Sequence, residues 1–331
     1  MKTDIVIIGS GPVGIFTAFQ AGMLGMKSCI IDALEIPGGQ CSALYPEKPI
    51  YDIPAYPQII AQELIDNLVK QAKTFDPKYL MSRKVIRLEQ KNNEFTVTTD
   101  QGDIISAKAV IISAGAGAFG PNRPPLKDIE SYEKTSVFYF ISNRESFAGK
   151  KILIAGGGDS ALDWAISLSS IAQVSIVHRR AKFRAAPSTV AKIHELAELG
   201  TIDLITNFQL SELKGKDGEL EEVILADLDG NKKHIKTDIL LPFFGLSQNL
   251  APLNEFGLEI KNQHIKSNYP YFESNIPGIY AVGDVATYEG KLKLILTGFS
   301  EASSALHHVY SRVFDGKALH FEHSTTKGIQ P

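Results

Sequence analysis

Cysteine is scarce in this chain: Cys29 and Cys41 are the two in 331 residues. That is too few for a disulfide framework, and nothing has the Cys/His spacing of a zinc site, so no metal centre is expected. Such usage fits a reduced, cytoplasmic protein. Long apolar runs are missing as well, since none approaches the roughly 18 residues a membrane span needs. The opening MKTDIVIIGSGPVG enters a strand pattern without the charged head, apolar stretch and cleavage site of a signal peptide. A one-sided charge is also lacking. Lys and Arg number 34 against 37 Asp and Glu, a formal net charge of -3, which gives no chain-wide field for nucleic acid or membrane. What is present is 44 % hydrophobic composition, ample for packed cores, in a length that suggests about two domains at roughly 150 residues each.

Asp4 to Ile8 is an apolar, β-branched run without alternation, as a parallel strand covered on both faces reads. Gly9 breaks it, Val13 to Met26 has helical character, and Ser28 to Ile31 is a second strand. The same grammar returns at Lys151 to Ala155, a helix from about Asp159 to Ile171, and a strand Val174 to Val177. The fold class is therefore α/β, with two Rossmann-like dinucleotide-binding domains around parallel sheets. Between the two units, Ala118 to Pro125 (AFGPNRPP) holds three prolines and reads as a stiff connector rather than part of an element. Asp238 to Leu246 reads as one strand, and Gly278 to Val285 (GIYAVGDV) as a return to the first domain. The expected organisation is a first domain in two parts, 1–117 and 247–331, with a second inserted at 118–246, the two linkers forming a hinge.

Gly9-Ser10-Gly11-Pro12-Val13-Gly14 is a G-x-G-x-x-G between strand and helix. Gly9 permits the turn, Gly11 lets a pyrophosphate reach the backbone, and Gly14 lets helix and strand pack closely. Asp32, 18 residues past Gly14, closes the second strand where a carboxylate takes a ribose hydroxyl. The second loop, Gly156-Gly157-Gly158-Asp159-Ser160-Ala161, has Ala161 at the third key position. Its second strand ends in His178-Arg179-Arg180, with Arg184 beyond. Cations at that point suit a 2′-phosphate, to which guanidinium groups make bidentate bonds. One dinucleotide with a free ribose hydroxyl and one with a phosphorylated ribose are most simply FAD and NADPH. Asp284, after the strand Ile279 to Val282, is placed to accept a hydrogen bond from a ribityl hydroxyl. Leu296 to Val313 reads as a helix beginning near Gly298, whose positive end suits negative charge on a flavin.

The longer motifs GGGDSALDWA with HRRAKFRA, GGQCSALYPEKPIYDIPAYP and GIYAVGDVATYEGKLKLILTGFSEA resemble thioredoxin-reductase-like flavoproteins over nearly the whole chain. Within that superfamily the sequence is similar to the bacterial, thioredoxin-reductase-like ferredoxin–NADP reductases. The resemblance implies a homodimer with an FAD domain and an inserted NADPH domain. It implies that Tyr51 stacks on one face of the isoalloxazine and that His323, in the tail of the partner protomer, covers the other. It also implies FAD contacts from Gln40, Tyr45, Val85 (through its backbone, near adenine), Phe119 and Thr325. The implied chemistry is hydride transfer from NADPH to FAD, followed by single-electron transfer to ferredoxin or flavodoxin, with no side-chain acid or base required.

The departure from thioredoxin reductases is an absence. Val137 to Arg144 (VFYFISNR), where those enzymes carry C-x-x-C, has no cysteine, so dithiol exchange has no attacking thiolate there. Cys29 reads as core filling. Cys41 follows Gly38-Gly39-Gln40 and lacks the second cysteine of a redox pair, that position being Pro46. A lone cysteine can form a sulfenic acid, so a flavin oxidase, peroxidase or disulfide reductase using Cys41 is one alternative, and a flavodoxin or quinone reductase another. His307 and His308 carry no partner pattern and read as surface residues.

Overall fold

The computed structural model describes the chain except residues 116–117, 134, 142, 250–252, 254, 321 and 329–331, and leaves undescribed the side chains of 118–121, 246–249, 324 and 327. The chain divides into two compact units, Met1–Phe119 with Gln248–Pro331, and Gly120–Ser247.

The first unit is built on a parallel five-stranded sheet in the order Ile279–Ala281, Ala109–Ile112, Ile5–Ile8, Ser28–Ile31, Lys78–Leu80. Its three central strands are apolar at all but one position, Ser28, because both faces are covered. Val6, Ile8, Cys29 and Ile31 point to one core, which they share with Phe95, Val97 and Ile105 of the antiparallel sheet Val85–Lys91, Glu94–Thr99, Ile104–Ala107. Ile5, Ile7 and Ile30 point the other way, against the helices Pro12–Met23 and Ile295–Val313. The strand Ile279–Ala281 pairs with Ala109–Ile112, so the segment after the insertion completes the first sheet.

The second unit repeats the plan with a parallel sheet in the order Ile202–Thr206, Gln173–His178, Lys151–Ala155, Ile239–Pro242 and a three-stranded antiparallel sheet, Gln209–Lys216, Glu219–Ala226, Lys232–Lys236. Ile152 and Ile154 face the helix Asp159–Leu168, while Leu153 and Ala155 face Leu220, Val223 and Leu225.

Three expectations need correction. Ala118–Pro121 is not free of secondary structure: it forms a two-stranded sheet with Leu246–Asn249. Proline is tolerated at the end of an edge strand, which explains why Pro121 does not prevent it. The strand expected over 238–246 is therefore two, Ile239–Pro242 and Leu246–Asn249. The last helix starts at Ile295, three residues before Gly298. Gly298 is there for packing, since a Cβ on it would lie 2.4 Å from Cγ2 of Val13. Among the described residues, no helix is long and apolar enough to cross a membrane.

Candidate active site

The first cleft lies at the carboxyl ends of the parallel strands, where open α/β sheets bind ligands. Gly9 leaves the strand with φ +107°, and a Cβ on it would lie 2.5 Å from the Ser113 carbonyl oxygen. A Cβ on Gly14 would lie 1.9 Å from the Gly9 carbonyl oxygen, so the helix start is pressed onto the loop. Gly11 differs: nothing lies within 4 Å of its virtual Cβ. The open space in front of Gly11 is thus the place where an anion meets helix N–H groups, and Pro12 at the first helical position forfeits a donor that has no intrahelical partner.

Asp32 is pinned at the strand end. Its Oδ2 accepts from the Ser10 amide at 2.6 Å and the Ser10 hydroxyl at 2.8 Å, and its Oδ1 accepts from the Leu34 amide at 2.9 Å. On the opposite wall, Gly38 (φ +123°) and Gly39 (φ +57°) turn the chain so that Gly39 sits against Gly11, its virtual Cβ 3.0 Å from the Gly11 Cα. That turn opens the short helix Gln40–Leu44. The cleft is lined by Gly9, Gly11, Asp32, Gln40, Tyr45, Val85 and Asp284 from the residues selected in the sequence, together with Cys41, Arg83, Lys84 and Ile295. It encloses about 1320 Å³ of empty space, part of it open to solvent. A backbone cradle without side chains and a fixed carboxylate at the ribose position fit FAD. Tyr51, 67 % exposed, and the exposed His323 and Thr325 do not line it. The side chain of Phe119 lies outside the described residues.

Cys41 is 1 % exposed within a core with Ile15, Ile53 and Ile65. Burial pushes its thiol above the ordinary value and the charge of Asp284 acts in the same direction, against the hydrogen bond to Tyr45. Burial also raises the Tyr45 phenol, with Cys41 and Asp284 adding to it. A protonated, enclosed thiol is the opposite of the exposed thiolate that sulfenic-acid chemistry starts from.

The second cleft is lined by Gly156, Gly157, Gly158, His178, Arg179, Arg180 and Arg184, with Phe208, Phe243 and Phe244 as apolar wall. Ala161 lies beneath the loop, where a Cβ on Gly156 would come within 2.8 Å of its own. The cationic segment is clipped to the glycine loop at two points. The Arg184 amide donates to the Gly157 carbonyl at 2.7 Å, and the Ala186 amide donates to Oδ1 of Asp159 at 2.8 Å. Arg179, Arg180 and Arg184 are exposed and form no ion pair among the described residues. His178 stacks on Phe183 with centroids 5.2 Å apart, and its Nε2 is buried without a hydrogen-bond partner. Burial holds this imidazole below its ordinary range, and the three arginines push the same way. Three unpaired guanidinium groups around an orphaned nitrogen fit a phosphate-bearing ribose.

Sequence reasoning passed over Glu301. It is buried, and its carboxylate accepts from the Gly283 amide at 2.7 Å, from the Tyr288 hydroxyl at 2.6 Å and from Lys291. No local motif marks it, because its partners lie 10 to 18 residues away. The histidines of the same helix also differ from expectation. Both are half-buried; His308 stacks on Tyr271 at 4.3 Å, with its Nδ1 2.8 Å from the Tyr280 hydroxyl, and Nδ1 of His307 lies 2.8 Å from the Ser303 carbonyl oxygen.

The family model of pyridine nucleotide-disulphide oxidoreductases matches residues 3–305. A protein of Rickettsia rickettsii (strain Iowa) named ferredoxin–NADP reductase is 58% identical over 327 residues, 98% of this chain and 96% of its own. A protein of the same name from Rickettsia felis is 59% identical over 326 residues, 98% and 97% of the two chains. Among solved structures, thioredoxin reductase of Lactococcus lactis superposes with a TM-score of 0.79 at 25% identity, over 95% of this chain and 99% of that one. Thioredoxin reductase of T. acidophilum gives the same TM-score, identity and coverage.

Proposed function

The chain belongs to the pyridine nucleotide-disulphide oxidoreductase family, and from that premise we propose that it is an FAD-dependent ferredoxin–NADP reductase that works as a cytoplasmic homodimer. The observation that carries this reading is the near full-length match, at 58% identity, to proteins of that name. The cysteine inventory supports it: with Cys29 and Cys41 both buried, no dithiol stands ready for a disulfide substrate.

FAD, when bound, takes two electrons from NADPH and gives them up singly to an iron–sulfur protein, a conversion nicotinamide alone does not perform. This chain's residues do the holding and shielding. The helix start behind Gly9, Gly11 and Gly14 binds the pyrophosphate, and the Asp32 carboxylate accepts from a ribose hydroxyl. The Val85 backbone meets the adenine, with Gln40, Tyr45, Phe119 and Thr325 completing the contacts. Asp284 accepts from the ribityl chain, and the N-terminus of the helix Ile295–Val313 places positive charge toward the ring. Tyr51 and the partner protomer's copy of His323 cover the two ring faces and exclude water. In the inserted domain, 118–246, the loop Gly156, Gly158, Ala161 binds the second pyrophosphate. His178, Arg179, Arg180 and Arg184 bind the 2′-phosphate, which selects NADPH over NADH.

The test is stopped-flow oxidation of the NADPH-reduced holoprotein by ferredoxin, flavodoxin, a quinone and thioredoxin in parallel. Fast oxidation by ferredoxin is expected. Preference for thioredoxin or a quinone overturns the assignment of the acceptor, and a protein purified without flavin overturns the whole reading.

A further inference from the structure

The strongest unassigned feature is the buried ionic cluster behind the first cleft. Glu301 is 1 % exposed, and the side chain of Lys291 is 6 % exposed. Taking such a pair out of water costs several kcal/mol for each ion, so an apolar pair would serve plain packing as well or better. The partners of Glu301 show what the charge accomplishes. The Gly283 amide donates to Oε2, while Tyr288 and Lys291 donate to Oε1. One carboxylate therefore ties together the turn Gly283–Val285, the segment that runs from Tyr288 past Lys291, and the helix Ile295–Val313.

Those three pieces form one wall of the cleft, which Gly283, Asp284, Lys293, Leu294 and Ile295 line. Gly283 has φ +73°, a conformation that few other residues hold, and its virtual Cβ lies 3.4 Å from Val13 at the start of the first helix. With its amide held by Glu301 and its backbone beside Val13, the turn carries Asp284 into the lining of the cleft, which Tyr45 and Cys41 also line. Lys291 neutralises the carboxylate that does the fixing.

We propose that Glu301 is a positioning residue of the flavin site, which acts through the Gly283 amide to hold Asp284 against the cofactor, with Lys291 as its counter-ion. The proposal rests on the assignment of FAD to the first cleft.

The experiment compares holoenzyme with two double variants that avoid an orphaned charge, E301Q/K291M, which keeps an acceptor for the Gly283 amide, and E301L/K291M, which does not. The readouts are the Kd of FAD, followed by flavin fluorescence on dilution, and the midpoint potential of the bound flavin. E301Q/K291M is expected to stay within about threefold of wild type in Kd and to keep its potential. E301L/K291M is expected to bind FAD at least tenfold more weakly, with an altered potential, and D284N added to it should weaken binding by a smaller factor than D284N does in the wild type, because both act through one turn. A folded E301L/K291M with wild-type Kd and potential overturns the proposal, as does full additivity with D284N. Should E301L/K291M not fold, E301Q/K291M decides: a tenfold loss there overturns the proposal, because the acceptor is retained. A wild-type protein that holds no FAD would instead sink the assignment of the cleft.

Discussion

The Cys41 thiol donates to the phenol oxygen of Tyr45 across 3.7 Å, inside the wall of the first cleft. The contact joins two groups that burial keeps protonated, so it is a packing contact with a polar seam. The C41S variant should keep turnover with ferredoxin within about twofold, and alkylation of native protein at pH 7 should be far slower than that of the unfolded chain. Fast modification with loss of activity would restore a redox role for Cys41.

Cys29 gives the pH dependence. Burial pushes its thiol from 9.0 to about 11. The unfolded chain releases this proton first, so stability is intact below about pH 9 and falls as pH rises toward 11, by roughly 3 kcal/mol in all. Denaturant titrations at pH 8 and pH 11 check it: the C29A variant should lose less stability over that interval than wild type.

Gly11 and Gly14 should separate binding from folding. Nothing surrounds the virtual Cβ of Gly11, whereas that of Gly14 falls 1.9 Å from a carbonyl oxygen. Gly11→Ala should therefore fold with a Tm near that of the wild-type apoprotein and lose FAD affinity by tenfold or more. Gly14→Ala should be destabilised by at least about 2 kcal/mol, the usual scale of steric misfit in a packed core. Calorimetry with and without FAD distinguishes them.

The arginines of the second cleft should control the choice of nicotinamide. Charged hydrogen bonds are worth about 1.5–3 kcal/mol each, so R179A/R180A should raise KM for NADPH by at least tenfold and leave KM for NADH within about twofold. Equal effects on both would remove the 2′-phosphate from these side chains.

Deleting residues 323–331 should change the visible absorbance of the flavin and the turnover while FAD stays bound. An unchanged spectrum would deny His323 its place over the ring.

The parallel sheets were legible because strands such as Ile5–Ile8 and Lys151–Ala155 are apolar on both faces, a pattern that only a doubly covered strand needs. The glycine loops were legible because their spacing follows from one turn geometry, and Asp32 because it sits one strand away. What escaped notice depends on contacts across the fold. Gly298 looks like a helix start until Val13 is seen beside it. Glu301 looks like an ordinary polar residue of the sequence FSEAS until Gly283, Tyr288 and Lys291 converge on it. Proline counts alone hid the strand Ala118–Pro121, because its partner lies 128 residues further on, at Leu246–Asn249.

The edge strand Ile279–Ala281 follows the whole of the second unit in the chain. During synthesis the inserted unit is continuous and leaves the ribosome complete, while the older N-terminal strands wait with Ala109–Ile112 unpaired on one side. Completion of the first sheet therefore waits on a segment that is translated after the whole inserted unit.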